Sequence, residues 1–170
     1  MQNLTRRGFI VLGAAGALSA CTNYEFETAT RPNALSPETI TAKINEVRRA
    51  NGRRTITYNT KLAAAARSQA QLMASRDQLS HDLGVTLRER VTAAGYVGAV
   101  GENLAGGHKT LEAAIEGWLA SPGHRSTLLS EKFTEFGLAT AQVGSGRKSR
   151  YGTYWALIMG GDFDAWRVTI

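Results

Sequence analysis

An apolar period of 3.6 residues runs through the middle of this 170-residue chain and gives way to strand-like runs in its last third. Helices first and strands after predict an α+β fold, with helices covering a mainly antiparallel sheet. Residues 36–170 have the length of one domain with one core. Cys21 is the only cysteine, so that core must close without an intramolecular disulfide.

The chain opens on a leader. Arg6-Arg7 precede an apolar run from Phe9 to Ala20 that is rich in Gly and Ala and too short for an ordinary membrane-spanning helix. Residues 1–20 therefore read as a signal peptide. Thr5-Arg6-Arg7-Gly8-Phe9-Ile10 resembles a twin-arginine export signal, with Val11 where such signals usually carry lysine. Leu18-Ser19-Ala20-Cys21 resembles a bacterial lipobox, whose cysteine is lipidated and becomes the mature N-terminus. Acyl chains on Cys21 would anchor the protein to a membrane, each buried methylene contributing ~0.8 kcal/mol. Thr22, not an aspartate, follows, which is similar to lipoproteins sent to the outer membrane of a Gram-negative cell. The domain is then expected to face the periplasm or the cell surface. Residues 21–35 are polar, with Asn, Thr and Pro, and read as a tether.

Ser36-Pro37-Glu38 carries three helix-start signals: a capping hydroxyl, a proline in the first turn and an acid against the dipole. Ile40, Ile44 and Val47 then share one face, and Asn51-Gly52 ends the helix. A second helix starts at Asn59 and buries Leu62, Ala66, Ala70 and Met73, its alanines suiting close packing against another layer. A shorter helix holds Thr86 to Ala94 and stops at Gly95. Thr110 caps a helix with Leu111, Ile115 and Trp118 at i, i+4 and i+7. Ser121-Pro122 breaks it and starts a short helix carrying His124, with Leu128 and Leu129 packing inward. Phe136, Leu138 and Ala139 to Val143, then Tyr151 to Met159, read as two strands joined by the Gly144–Arg150 turn.

Charge excludes some partners. The formal surplus of +6 falls to +4 once Arg6 and Arg7 leave with the signal peptide. Arg53-Arg54, Arg147-Lys148 and Arg150 lie in turn-like stretches and read as solvated surface, able at most to attract anionic lipid heads or wall polymers weakly. No aromatic-basic interleaving is present, and export argues against a nucleic-acid partner.

The chemistry concentrates in Ser80-His81, Gly101-Glu102-Asn103-Leu104 and Trp118-Leu119-Ala120-Ser121-Pro122-Gly123-His124-Arg125. Two imidazoles and a carboxylate can hold a divalent metal or move protons near neutral pH. His124 sits just inside a helix N-terminus, where the dipole favours the neutral, ligating ring. Asp82 is placed to orient His81, Asn103 to orient a neighbouring carboxylate, and Gly101 to allow close backbone approach. Read from residues alone, the histidines fit hydrogen-bonded structural roles better than a shared site, and Glu102 fits a buried acid pairing with a protonated histidine. His108, the remaining histidine, reads as an exposed loop residue. Ser80-His81-Asp82 is no serine-protease triad, because adjacent residues cannot converge as its partners do. Trp118 and Trp155 read as core, and Trp166 as a tail residue covering a sheet edge.

Taken in order, these motifs carry a resemblance. Asn45 and Arg48 on one helix, Leu62, Ala65 and Ala70 on the next, Ser80-His81, Gly95-Tyr96, Gly101-Glu102-Asn103-Leu104, Trp118, Ser121-Pro122-Gly123-His124-Arg125, Phe133-Thr134-Glu135-Phe136-Gly137 and Tyr154-Trp155 resemble a bacterial member of the CAP superfamily, the SCP-like or pathogenesis-related-1-like domains. The likeness covers almost all of residues 36–160 and implies an α-β-α sandwich with an open cleft. It implies a cleft trio of His81, Glu102 and His124, with Asn103, Ser121 and Arg125 as flanking ligand contacts. Many relatives place a second acid where Ser121 stands, so a zinc ion held by the trio would keep a position open to water or ligand. Three functions follow as expectations. The favoured one is a membrane-tethered binding domain for a metal and a lipid, sterol or cell-envelope ligand. The second is a metal-assisted or acid-base hydrolase of peptide or wall material, for which no nucleophile beside a base is evident. The third is a structural interaction module.

Overall fold

The computed structural model describes residues 29–167. The signal peptide, the lipobox with Cys21 and the tether up to residue 28 lie outside the described residues. The elements are α1 (Pro37–Ala50), β1 (Thr57–Tyr58), α2 (Thr60–Arg76), α3 (Leu87–Ala93), β2 (Ala99–Gly106), α4 (Leu111–Ala120), α5 (Pro122–Leu128), β3 (Glu135–Gln142) and β4 (Thr153–Gly161). Short 3-10 turns at Pro32–Ala34 and Phe163–Trp166 flank them.

Among the described residues, four of the five α-helix starts have the expected side-chain cap. Ser36 Oγ accepts from Thr39 N at 3.2 Å, Asn59 Oδ1 from Lys61 N and Leu62 N, and Thr110 Oγ1 from Ala113 N. Thr86 and Glu89 form a reciprocal capping box at α3.

The four strands lie in the order β1-β3-β4-β2, antiparallel except for the short parallel β1–β3 pair. Alternation along the strands feeds two separate cores. Phe136, Leu138, Trp155, Leu157 and Met159 pack beneath α1, α4 and α5. Ala139, Tyr154, Ala156 and Ile158 pack beneath α2 and α3. The result is the three-layer α-β-α sandwich. Its tightest seam lies where α2 crosses β3: a Cβ on Gly137 would stand 2.0 Å from the Ala63 nitrogen. The alanines of α2 and this glycine together let the helix backbone approach the sheet.

Asn45 and Arg48 turn out to be clamps. Asn45 pairs with both backbone groups of Ile56 at 2.8 Å, fixing the approach to β1. The buried Arg48 donates to the carbonyls of Arg54, Leu128 and Ser130, holding the C-terminal end of α5 against α1. Cations suit that helix end.

Three expectations need correcting. Ala99–Gly106, where the sequence predicts no strand, forms the full edge strand β2. The tether does not extend to residue 35: Thr30 is buried and donates through N and Oγ1 to the Glu112 carboxylate, both at 2.7 Å, while Leu111 N donates to Thr30 O. The domain therefore begins about Thr30. His108 is half-buried rather than exposed, its ring close against Gly117 of α4.

Candidate functional site

The site forms at β2 because β2 is an edge strand. Neighbouring residues of a strand point to opposite faces. Glu102 turns toward α3 and Asn103 toward α5, so an edge strand can hold groups from both helical layers around one rim.

Glu102 is the fixed point. Its side chain is 2% exposed, and each carboxylate oxygen has a different partner. Arg90 Nη2, on a side chain only 1% exposed, donates to Oε1 at 2.7 Å. His81 Nδ1 lies 2.8 Å from Oε2. A carboxylate beside a guanidinium is acceptor-only, so Nδ1 bears the proton and donates. Nε2 is then the ring nitrogen left free of that bond. Glu102 thus sets both tautomer and orientation of an imidazole whose side chain is 60% exposed.

The loop holding His81 is pinned from below. Gln69, fully buried on α2, donates Nε2 to the Ser80 carbonyl at 2.6 Å. Ser80 Oγ donates to Asp82 O, and Asp82 Oδ1 accepts from Gly84 N at 2.9 Å. Asp82 therefore folds its own turn; the orienter of His81 is Glu102.

His124 comes from the other layer. Pro122 opens α5 directly after α4 breaks at Ser121. Asn103 is fully buried and donates Nδ2 to the His124 carbonyl at 2.8 Å. Asn103 is thus a support of α5 and not a carboxylate orienter or an accessible ligand contact. Partial burial, and then the nearby His81 ring, push the His124 pKa below its ordinary value. That shift favours the neutral form of His124.

Ser121 is half-buried at the α4–α5 junction, where its side chain makes no capping bond. Arg125 points elsewhere: it donates to Asn51 Oδ1 at 2.8 Å and lines a groove with Arg53, Lys132 and Trp166. Trp118 and Trp155 are sealed in the core, their indole nitrogens donating to the Leu104 and His108 carbonyls.

The donor set fits a metal in one way. Both Glu102 oxygens are engaged, and among the described residues no three His, Cys, Asp or Glu side chains stand together as a ligand group. Two imidazoles remain as donors, with Glu102 behind one of them. Sequence reasoning missed Arg90 and Gln69. The signal was available: Leu87, Arg90 and Val91 fall at i, i+3 and i+4, and Leu62, Ala66, Gln69 and Met73 share one stripe. A buried arginine must find acceptors, and for Arg90 these include the Glu102 carboxylate.

Comparison with known proteins places this geometry. A family model described as "CAP: Cysteine-rich secretory protein family" matches residues 41–159. The uncharacterized protein YkwD of Bacillus subtilis (strain 168) is 26% identical over 123 residues, 69% of this chain and 48% of the relative. An extracellular protein containing an SCP domain from Bacillus anthracis has a structure similar at a TM-score of 0.63 and 26% identity, over 74% of this chain and 40% of that one. An outer surface protein from Borrelia burgdorferi shares the fold at a TM-score of 0.65 and 18% identity, over 79% of this chain and 99% of that one. The chain spans about half the length of the curated relative it matches.

Proposed function

Because the chain belongs to the CAP, or cysteine-rich secretory protein, family, we propose that it is an exported, membrane-tethered binding domain whose two histidines hold a divalent metal. His81 and His124 are the ligands, and zinc suits two imidazoles with remaining positions open. Glu102 is the orienter behind His81, and Arg90 keeps that carboxylate in place. Bound metal would supply a Lewis acid to which an oxygen donor of a cell-envelope ligand, a lipid or a sterol coordinates. Ser121 leaves that side open where an acid would have closed it.

The observation that carries this reading is the Arg90–Glu102–His81 relay with its 2.7 and 2.8 Å bonds. A histidine needed only as a strut would not be aimed by a buried ion pair while remaining mostly exposed. Metal content of the full chain tests it: wild type should retain zinc, and the His81→Ala and His124→Ala chains should lose it. Zinc-free wild type at neutral pH would end the proposal.

A hydrolase remains the second reading, favoured by one observation: a His–carboxylate pair is also an oriented general base. Ser121 and Thr127 are hydroxyls near His124 in sequence, and Thr127 donates instead to the Gly123 carbonyl. Loss of peptidoglycan, peptide or ester cleavage in His81→Ala would support the enzyme; no cleavage by wild type would exclude it for those substrates. The exported part of the reading rests on the leader and is supported by an extracellular protein among the structural relatives; the anchored part rests on the lipobox alone.

A further inference from the structure

Four large apolar side chains are exposed among the described residues, and three of them gather at one end of the sandwich. They are Val97 at 88%, Phe163 at 49% and Trp166 at 46%. Val97 precedes β2, and Phe163 and Trp166 lie on the 3-10 turn after β4. The register sets Ala99 opposite Gly161, which brings these segments together. Residues i and i+3 of a 3-10 turn eclipse, so Phe163 and Trp166 share a side.

Cations collar these tips. Arg88 lies over the Phe163 ring at 5.6 Å and donates to the Gly98 carbonyl. Lys132 stands over Trp166 at 4.4 Å, and Arg53 and Arg125 line the adjoining groove. The acids here are largely occupied locally: Asp164 pairs with Arg167, Glu131 with Arg53, and Asp162 caps its own turn. Among the described residues, Arg88, Arg125 and Lys132 have no carboxylate in ion-pair reach.

From this juxtaposition we propose that the Val97–Trp166 end is a docking surface for an anionic phospholipid bilayer. Aromatic and aliphatic tips seat at headgroup depth while Arg and Lys meet the phosphates. The Trp166 ring already has two neighbours, Lys132 at 4.4 Å from its centroid and Phe133 at 5.4 Å between centroids. Its exposed edge suits the interface better than it suits stacking on a sugar. The surface is independent of the metal reading, because no residue of the His81–Glu102–Arg90 relay belongs to it. It is also remote from Thr30, where the chain joins the domain next to Leu111, beyond the other end of β2.

Trp166 is its own probe, since Trp118 and Trp155 are sealed in the core. The full chain is added to vesicles with brominated acyl chains, made of phosphatidylglycerol or of phosphatidylcholine. Bromine should quench Trp166 on phosphatidylglycerol at low salt, and high salt should reverse it. Phosphatidylcholine should leave it unquenched even where the N-terminal segment attaches the chain. Trp166→Phe should remove the quenchable signal, and Lys132→Glu with Arg88→Glu should weaken it by about tenfold or more. Equal quenching on both lipids would overturn the proposal. So would unquenched Trp166 in chains that sediment with phosphatidylglycerol vesicles. Trp166-dependent capture by purified wall polymer without vesicle quenching would assign the surface to that polymer and overturn it equally.

Discussion

Arg90 and Glu102 form an ion pair in which neither side chain is more than 2% exposed. Removing one member of such a pair strands a charge, costing about 3–5 kcal/mol. Arg90→Met should therefore lower stability by about that amount and release His81, whereas Arg90→Lys should keep more of both; thermal melts of the two variants check this. His124 makes a second residue-scale prediction. Its folded pKa lies below its ordinary 6.5, so its neutral form is favoured by folding. That contribution is complete above the unfolded value and is lost as pH falls through the folded one. Wild type should lose stability on acidification below 6.5, and His124→Gln should show a shallower fall in melting temperature. His81 and His124 were legible as residues; that Glu102 serves as an orienter was not. Its role depends on Arg90, which sequence displays inside the charged run Arg88-Glu89-Arg90, where only helical spacing shows that one charge faces inward.

At the scale of elements, caps and breaks were legible, because Ser36, Asn59, Thr86, Thr110 and Pro122 act through local chemistry. β2 was hidden by what it does. Ala99 to Gly106 carries Glu102 and Asn103 in its middle and glycine at two positions, which erases the alternation that marks a strand. Pairing with β4 along all eight residues overrides that weak propensity. β1, only two residues long, leaves no periodic signal. The α2–β3 seam predicts that Gly137→Ala, forced against the Ala63 backbone, costs about 1–3 kcal/mol or more by denaturant unfolding. Asn45→Ala leaves the buried Ile56 N–H and C=O without their partner and should cost about 2 kcal/mol in the same assay.

At the scale of the whole molecule, the sandwich brings a loop from one layer and a helix from the other to a single sheet edge, and so ties His81 and His124, 43 positions apart, to adjacent residues of β2. Motif order made the fold legible; the layers that meet at β2 belong to three dimensions. The proposed lipid anchor is tested on the intact chain: Cys21→Ala should move the protein from the membrane to the soluble fraction on cell fractionation, and an unchanged membrane fraction would refute lipidation. The central claim, two imidazole ligands with Glu102 behind one of them, is tested most directly by calorimetric zinc titration of wild type, His81→Ala, His124→Ala and Glu102→Gln. The account predicts one zinc per wild-type chain, no detectable binding in either histidine variant, and an affinity about 10–100-fold weaker in Glu102→Gln. Zinc binding by wild type that survives unchanged in His81→Ala and His124→Ala, or no zinc binding by wild type, would contradict it.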